Sequence, residues 1–329
     1  MKTTLSRIST VALASGIGVM AGLAALPAAA EEATLRAASS FALGTTFTRE
    51  FERFVDHVNE EGEGLVQIDL IGGPEAIPPF EMGSAVSQGI IDLANASGAF
   101  YTNVLPLGDA LKLAEISSAE MRENGAMDFI DELHREQMNV HYLARTGIGI
   151  PFHIYTTQPV DGPDLSDLRI RTTSTYRAFI NALGGSPVQT APGEVYTALE
   201  RGVVDGYGWP AQGVLDLGWQ EHTSYRVDPG FYNVDVSFLV NLDTWTGLSD
   251  EQRDFLTEAA VWTEAFNDEN AEINQTEYDR QAEAGIEVIT LEGEQAESWL
   301  DTAYRVGWEE AEEIDAENAG RLRDLIGDR

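Results

Sequence analysis

The chain has 329 residues, enough for two lobes of ordinary domain size with separate cores. It contains no cysteine, which excludes a disulfide framework, a thiol nucleophile and a thiolate metal site. Acidic residues outnumber basic ones by 55 to 20, a balance that argues against nucleic acid or an anionic membrane as a direct partner, because phosphate binding needs a basic surface.

Residues 1–30 read as a cleaved leader. Lys2 and Arg7 give a charged start, Val11 to Leu26 is apolar and small, and Ala28-Ala29-Ala30 is a small-residue cleavage signal before Glu31. The apolar run is shorter than the roughly 20 residues a membrane span needs, so a soluble exported chain cut after Ala30 is expected. Removing Lys2 and Arg7 takes the formal charge from −35 to −37, with 18 basic residues against 55 acidic. After Lys2 the only lysine is Lys112. An acid-rich, lysine-poor surface suits saline surroundings or simply an acidic exported protein. A protein of this charge that binds an anion must make its site locally positive, which makes each interior-looking arginine informative.

Leu35 to Ser39 reads as a first strand, followed by a turn and a helix with Phe47, Phe51, Phe54, Val55 and Val58 on one face. Val66, Ile68 and Leu70 alternate with polar residues as a half-buried strand. Gly72-Gly73-Pro74 and Pro78-Pro79 make a rigid loop before a helix over 80–90, and a strand begins near Leu93. Asn95 to Asn103 is a loop carrying Phe100 and Tyr101. A single long helix is expected over 119–137, then a strand over 140–144, and a Gly-rich stretch over 145–155 as a crossover between lobes.

The stretch from Leu168 to Pro210 alternates short strands and helices. A strand over 168–172 ends near Arg171; a helix carries Tyr176, Phe179, Ile180 and Leu183 and stops at Gly184-Gly185. A strand over 187–190 leads to Pro192, a good first helical residue, and a helix with Val195, Tyr196 and Leu199 stops at Gly202. A third strand over 203–207 ends at Trp209-Pro210. This pattern predicts an α/β domain with its ligand crevice at the strand ends. A short helix to Gly218 follows, then strands over 225–228 and 234–240 separated by the loop Pro229-Gly230-Phe231-Tyr232-Asn233. Ser249-Asp250-Glu251 caps a helix predicted to run uninterrupted to about Ala284; a strand over 286–290 and an acidic helical region over 294–326 complete the chain.

The run from Arg171 through ALGG, PV, EVYTAL and GVVDG to Pro210 resembles the solute-binding subunits of tripartite ATP-independent periplasmic (TRAP) transporters, the DctP-like family. Gln88, Gly89 and Asp92 are similar to a second unit of that family. The resemblance covers nearly all of the chain after residue 30. It implies a two-lobed α/β periplasmic binding fold with the cleft between the lobes and a long helix shared by both. Lobe I is expected to hold residues 31–149 plus about 242–280, and lobe II residues 150–241 plus about 281–329.

A guanidinium forks onto a carboxylate through two parallel hydrogen bonds, fixing orientation as well as charge. The pattern around Arg171 leaves a structural salt bridge equally open; the resemblance implies a carboxylate clamp there. It also implies that Trp209 contacts the ligand, as in the keto-acid-binding members, and that Phe231, Tyr232 and Asn233 form the cleft wall, with Phe100 and Tyr101 closing the other side. Glu194 reads as a helix-start residue and His153 as a strand residue. Some relatives hold a metal ion through a glutamine and a glutamate; Gly149 and Asn233 stand at those positions, so no metal or other cofactor is expected. The five histidines show no metal-ligand spacing, and no nucleophile elbow or P-loop is present. The implied function is capture of a small organic acid, a keto or hydroxy monocarboxylate before a dicarboxylate or sugar acid, for sodium-driven uptake through TRAP membrane subunits. An exported hydrolase acting on an acidic substrate, or a binding protein feeding a sensor receptor, are the rival readings.

Overall fold

The computed structural model describes residues 31–327; the leader and its cleavage site after Ala30 lie outside them. Two mixed sheets, each flanked by helices, organise the chain. The first has the order β2-β1-β3-β10-β4, built from β1 (Ala33–Ser39), β2 (Val66–Gly72), β3 (Leu93–Ala96), β4 (Val140–Thr146) and β10 (Val236–Asn241). β1 runs parallel to β2 and β3, while β10 is antiparallel to β3 and β4. The second sheet has the order β11-β9-β5-β8-β6-β7. Its strands are β5 (Pro151–Thr156), β6 (Arg169–Thr172), β7 (Ser186–Gln189), β8 (Gly206–Pro210), β9 (Tyr225–Asn233) and β11 (Glu287–Thr290). β6 is parallel to β7 and β8, whereas β5 is antiparallel to β8 and β9.

The helices follow the apolar periodicities, with informative exceptions. α1 (Arg49–Glu61) buries Phe51, Phe54, Val55 and Val58, and Phe51 meets Phe238 of β10 with ring centroids 5.0 Å apart. α2 (Met82–Ser87) precedes β3. The single helix expected over 119–137 is two, α3 (Ser118–Glu123) and α4 (Ala126–Met138), because Gly125 between them takes a left-handed conformation (φ +85°) that no helix interior accommodates. α5 (Ser174–Ala182) and α6 (Val195–Glu200) connect β6, β7 and β8. The helix expected between Pro210 and Gly218 is instead a set of turns followed by a 3-10 segment at Trp219–His222.

β9 also departs from expectation. The sequence pattern places a loop at residues 229–233, yet β9 continues through them to Asn233, paired with β5 from Thr156 to Pro151. The chain then returns to the first sheet at Val236, ahead of the boundary at 241 expected from the sequence. Both crossovers lie side by side: Val234 N donates to Ile150 O at 3.0 Å, and Gly149 N donates to Asn233 Oδ1 at 3.2 Å.

After α7 (Leu242–Gly247), Ser249 caps α8 (Asp250–Glu264), accepting from Gln252 N as its sequence signature required. The expected continuous helix is interrupted: a 3-10 segment at Ala265–Glu269 joins α8 to α9 (Asn270–Glu283). α8 packs on α1 and β4. Asn267, Asn270 and Asn274 hydrogen-bond the crossover at 145–149, and Tyr278 reaches His153 in the second sheet. The helical run therefore spans both lobes. α10 (Glu294–Ile314) packs on α5, β9 and the 3-10 segment Pro106–Leu113, and α11 (Ala316–Ile326) packs on α4, so the C-terminal region covers both lobes rather than the second alone.

Candidate functional site

Strand ends converge on a narrow cavity of about 30 Å³ between the two sheets, well under the roughly 300–1,000 Å³ typical of small-molecule sites. Phe41 and Phe47, beyond the end of β1, and Ser97, Ala99 and Phe100, beyond the end of β3, line it from the first lobe. Phe152, Arg171, Thr173, Thr175, Tyr176, Trp209 and Pro210 line it from the second, and Val234, Asp235 and Val236 from the returning crossover. This is where open α/β sheets place ligands, because the backbone diverges beyond the carboxyl ends of parallel strands.

Arg171 is the centre of the site. β6 is interior, flanked by β7 and β8, and the side chain is wholly buried. Its Nε and Nη2 donate to Thr190 O at 3.1 and 2.8 Å, and its Nη1 to Gly208 O at 3.5 Å. Among the described residues no carboxylate lies within 4.0 Å of it, so the salt-bridge alternative finds no partner. Burial pulls its pKa down to about 10, with Tyr176 and Glu194 opposing at longer range. The guanidinium thus stays charged at neutral pH, in a cavity, held only by carbonyls.

Trp209 stands one strand away on β8. Its ring packs edge-on against Phe47 (5.6 Å) and Trp219 (4.6 Å), and the Arg171 guanidinium carbon lies 5.6 Å from its centroid. Its indole Nε1 is buried without a hydrogen-bond partner. An orphaned buried donor costs about 1–3 kcal/mol, so Nε1 is free to donate to a ligand or water that reaches it. Gly208, between Tyr207 and Trp209, lets the Tyr176 ring lie on the backbone; a Cβ there would come within 2.7 Å of the ring.

Of the sequence-predicted residues, Arg171, Trp209 and Phe100 meet in the cavity. Four do not. Tyr101 is fully buried in the first lobe, where its hydroxyl pairs with His134 Nε2 at 3.1 Å and its ring fills the space left by Gly83 and Gly108. Phe231 packs among Phe179, Tyr232 and Trp299 beneath α10. The Tyr232 hydroxyl donates to Ala303 O at 2.6 Å, and Asn233 Nδ2 donates to Ala114 O at 3.1 Å. These three are packing and crossover residues, because β9 turns them towards α10 and the first lobe. His153 is a buried strand residue between Val227 O and the Tyr278 hydroxyl, and Glu194 accepts from Ala191 N at a helix start.

Sequence reasoning missed Asp235. It sits in the cavity wall, and although burial raises its pKa, Arg145 opposes this at 3.2 Å, as do the hydroxyls of Tyr142 and Ser237. The signal was available: an acid flanked by Val234 and Val236 at the start of a strand. Arg145 is fully buried and consumed by Asp235; likewise Lys112 is paired with Asp109. Arg171 is left as the cavity's unmatched charge.

The sequence matches the family model described as "Bacterial extracellular solute-binding protein, family 7" over residues 37–313. The chain belongs to this family. The C4-dicarboxylate-binding periplasmic protein DctP of Rhodobacter capsulatus is 30% identical over 158 residues, which is 47% of each chain. A monocarboxylate 2-oxoacid-binding periplasmic protein of Nostoc sp. is 25% identical over 223 residues, 64% of this chain and 60% of that one. The matches thus span about half to two thirds of these relatives. The Bordetella pertussis extracytoplasmic solute receptor DctP7, solved binding pyroglutamic acid, superposes with a TM-score of 0.78 at 17% identity, over 89% of this chain and 98% of that one. The two-sheet architecture of the family 7 protein is therefore that of TRAP periplasmic binding proteins. Among the described residues no helix is long and apolar enough to cross a membrane, and no cluster of His, Asp and Glu could hold a metal ion.

Proposed function

We propose that this family 7 protein captures a small organic monocarboxylate between its lobes and delivers it to TRAP membrane subunits for sodium-driven uptake. One observation carries the reading: Arg171 is a fully buried guanidinium that faces a cavity and has no carboxylate within salt-bridge distance among the described residues. A ligand carboxylate supplies the missing counter-charge and accepts from Nη1 and from the orphaned Trp209 Nε1.

Charge balance favours a monoanion. A dicarboxylate needs a second free cation, and the neighbouring buried cations, Arg145 and Lys112, already serve Asp235 and Asp109. Phe41, Phe47, Phe100 and Phe152 form an apolar enclosure that excludes water and suits a short hydrocarbon tail. The named relatives bind acids of several classes, all carboxylates, which agrees with an arginine-centred site whose remaining wall sets the class. Closure around the acid then rests on the ligand's greater affinity for the closed form. We place the protein in the periplasm after loss of the leader.

A thermal-shift screen of the mature protein against short mono- and dicarboxylates tests this, with Arg171→Ala in parallel. A ligand at a hundred times its Kd adds about 2.7 kcal/mol. A monocarboxylate that stabilises the wild type and leaves folded Arg171→Ala unmoved is the expected result. Stabilisation that survives the substitution, or that only dicarboxylates produce, would overturn it.

A further inference from the structure

Capture by Arg171 and Trp209 fixes one end of the ligand and leaves its second functional group open. Two polar groups of the cavity wall are restricted to accepting. Asp235 Oδ1 receives Arg145 Nε at 3.2 Å, the Tyr142 hydroxyl at 3.1 Å and the Ser237 hydroxyl at 3.2 Å, whereas Oδ2 has only Ser237 at 3.4 Å. The Ser237 hydroxyl has a single proton and also lies 2.8 Å from the Tyr142 oxygen, so Oδ2 is under-supplied with donors. Asp235 keeps 5% of its side chain exposed where Arg145 keeps none, and it lines the cavity.

Thr175, also in the lining, donates its hydroxyl proton to Asp109 Oδ1 at 2.9 Å; Asp109 Oδ2 in turn takes Lys112 Nζ at 3.0 Å. A carboxylate cannot return a proton, so the Thr175 oxygen retains only lone pairs for a ligand. The hydroxyls of Ser97 and Thr173 can turn to suit either need. Arg145 balances Asp235, and Lys112 is closer to the buried Asp109 (3.0 Å) than to the more exposed Glu310 (3.5 Å), so the acceptors that face the cavity carry their counter-charges with them.

We propose that Asp235, supported by Thr175, is the specificity-determining group of the cavity and selects a hydroxy monocarboxylate over the oxo acid of the same skeleton. The inference rests on carboxylate capture by Arg171. A hydroxyl donates to the under-supplied Asp235 Oδ2, while an oxo group can only set its own lone pairs against it and leaves both acceptors desolvated. Sites built to hydrogen-bond a substrate hydroxyl reject the analogue lacking it far more strongly than apolar pockets discriminate by size.

The test is calorimetric titration of the mature protein with matched pairs, lactate against pyruvate and 2-hydroxyisovalerate against 2-oxoisovalerate, in wild type, Asp235→Asn, Thr175→Val and Arg171→Met. Wild type is expected to bind each hydroxy acid at least about tenfold more tightly than its oxo partner. Asp235→Asn keeps the shape and turns an acceptor into an amide donor, so the preference should fall to parity or invert. Thr175→Val, which leaves the Asp235–Arg145 pair intact, should narrow the preference about threefold or more, and it decides the matter if Asp235→Asn fails to fold. Equal binding of both partners by wild type, with both lost in Arg171→Met, would overturn the role of Asp235 and leave carboxylate capture standing. Folded variants that keep the wild-type ratio would overturn that role equally. Binding that survives Arg171→Met, or no binding of any of these acids, would overturn the capture reading and this inference with it.

Discussion

Replacing Arg171 by methionine should leave the empty protein at least as stable as the wild type while abolishing acid binding. The guanidinium is wholly buried, and burial pulls its pKa from the ordinary guanidinium range down to about 10. At about 1.4 kcal/mol per pKa unit, holding the charged form in the fold costs about 3 kcal/mol. The group is charged in folded and unfolded chains alike between about pH 5 and 9, so the penalty is constant there and fades only as pH rises through 10 towards the ordinary guanidinium range. Methionine removes that penalty and fills much of the volume with a flexible apolar chain. Against this, Thr190 O loses its Nε and Nη2 donors, at a cost of about 1–3 kcal/mol. The balance is a gain of about 1 kcal/mol, in line with other exchanges of buried charges for apolar groups. Urea titrations with and without saturating acid read both effects. The variant's midpoint without acid should equal or exceed that of wild type at unchanged slope, and only wild type should respond to acid. A loss of more than about 2 kcal/mol in the acid-free variant would refute the reasoning, because the guanidinium would then be a structural tie and not a waiting site.

Trp209→Phe keeps an aromatic wall but deletes the orphaned Nε1 donor, so calorimetry should show the acid's Kd rising about tenfold or more. Tyr101→Phe should cost about 1–2 kcal/mol in a urea titration by leaving His134 Nε2 unpaired, with the Kd unchanged within about twofold, since Tyr101 lies outside the cavity. Burial holds His134 down at about 4, outweighing its backbone bond to Ile130. The unfolded chain therefore takes up a proton below about pH 6.5 that the fold refuses until about pH 4, and stability falls by up to about 3 kcal/mol across that window. His134→Gln should flatten this part of the stability profile, and a profile as steep as that of wild type would contradict the assignment.

How far the site was legible depended on which face of an element a residue took. The strand–helix alternation put Arg171 and Trp209 at strand ends, an order the structure keeps, but their roles at a ligand came from the family resemblance and not from the pattern. Phe100 and Tyr101 are neighbours in one 3-10 turn, yet one faces the cavity and the other His134. Composition cannot tell them apart. Phe231 and Tyr232 look like a loop in sequence because Pro229-Gly230 precedes them; long-range pairing with β5 carries the strand through, and α10, distant in sequence, covers them. Asp235 is hidden by number: among 55 acids, one buried carboxylate shows only through its apolar neighbours. The breaks at Gly125 and Asp315 lie inside runs whose apolar period continues across them, so periodicity alone reads each pair of helices as one. The break at Ala265–Glu269, by contrast, has no Gly or Pro to mark it, and α9 beyond it buries a polar face of Asn270, Asn274, Glu277 and Gln281.

The most direct test of carboxylate capture by Arg171 is a crystal structure of the mature protein with the tightest-binding acid from the screen. The acid's carboxylate is expected within about 3 Å of Arg171 Nη1 and of Trp209 Nε1, in the cavity between the sheets. An acid bound elsewhere, with Arg171 still held only by Thr190 O and Gly208 O, would contradict it.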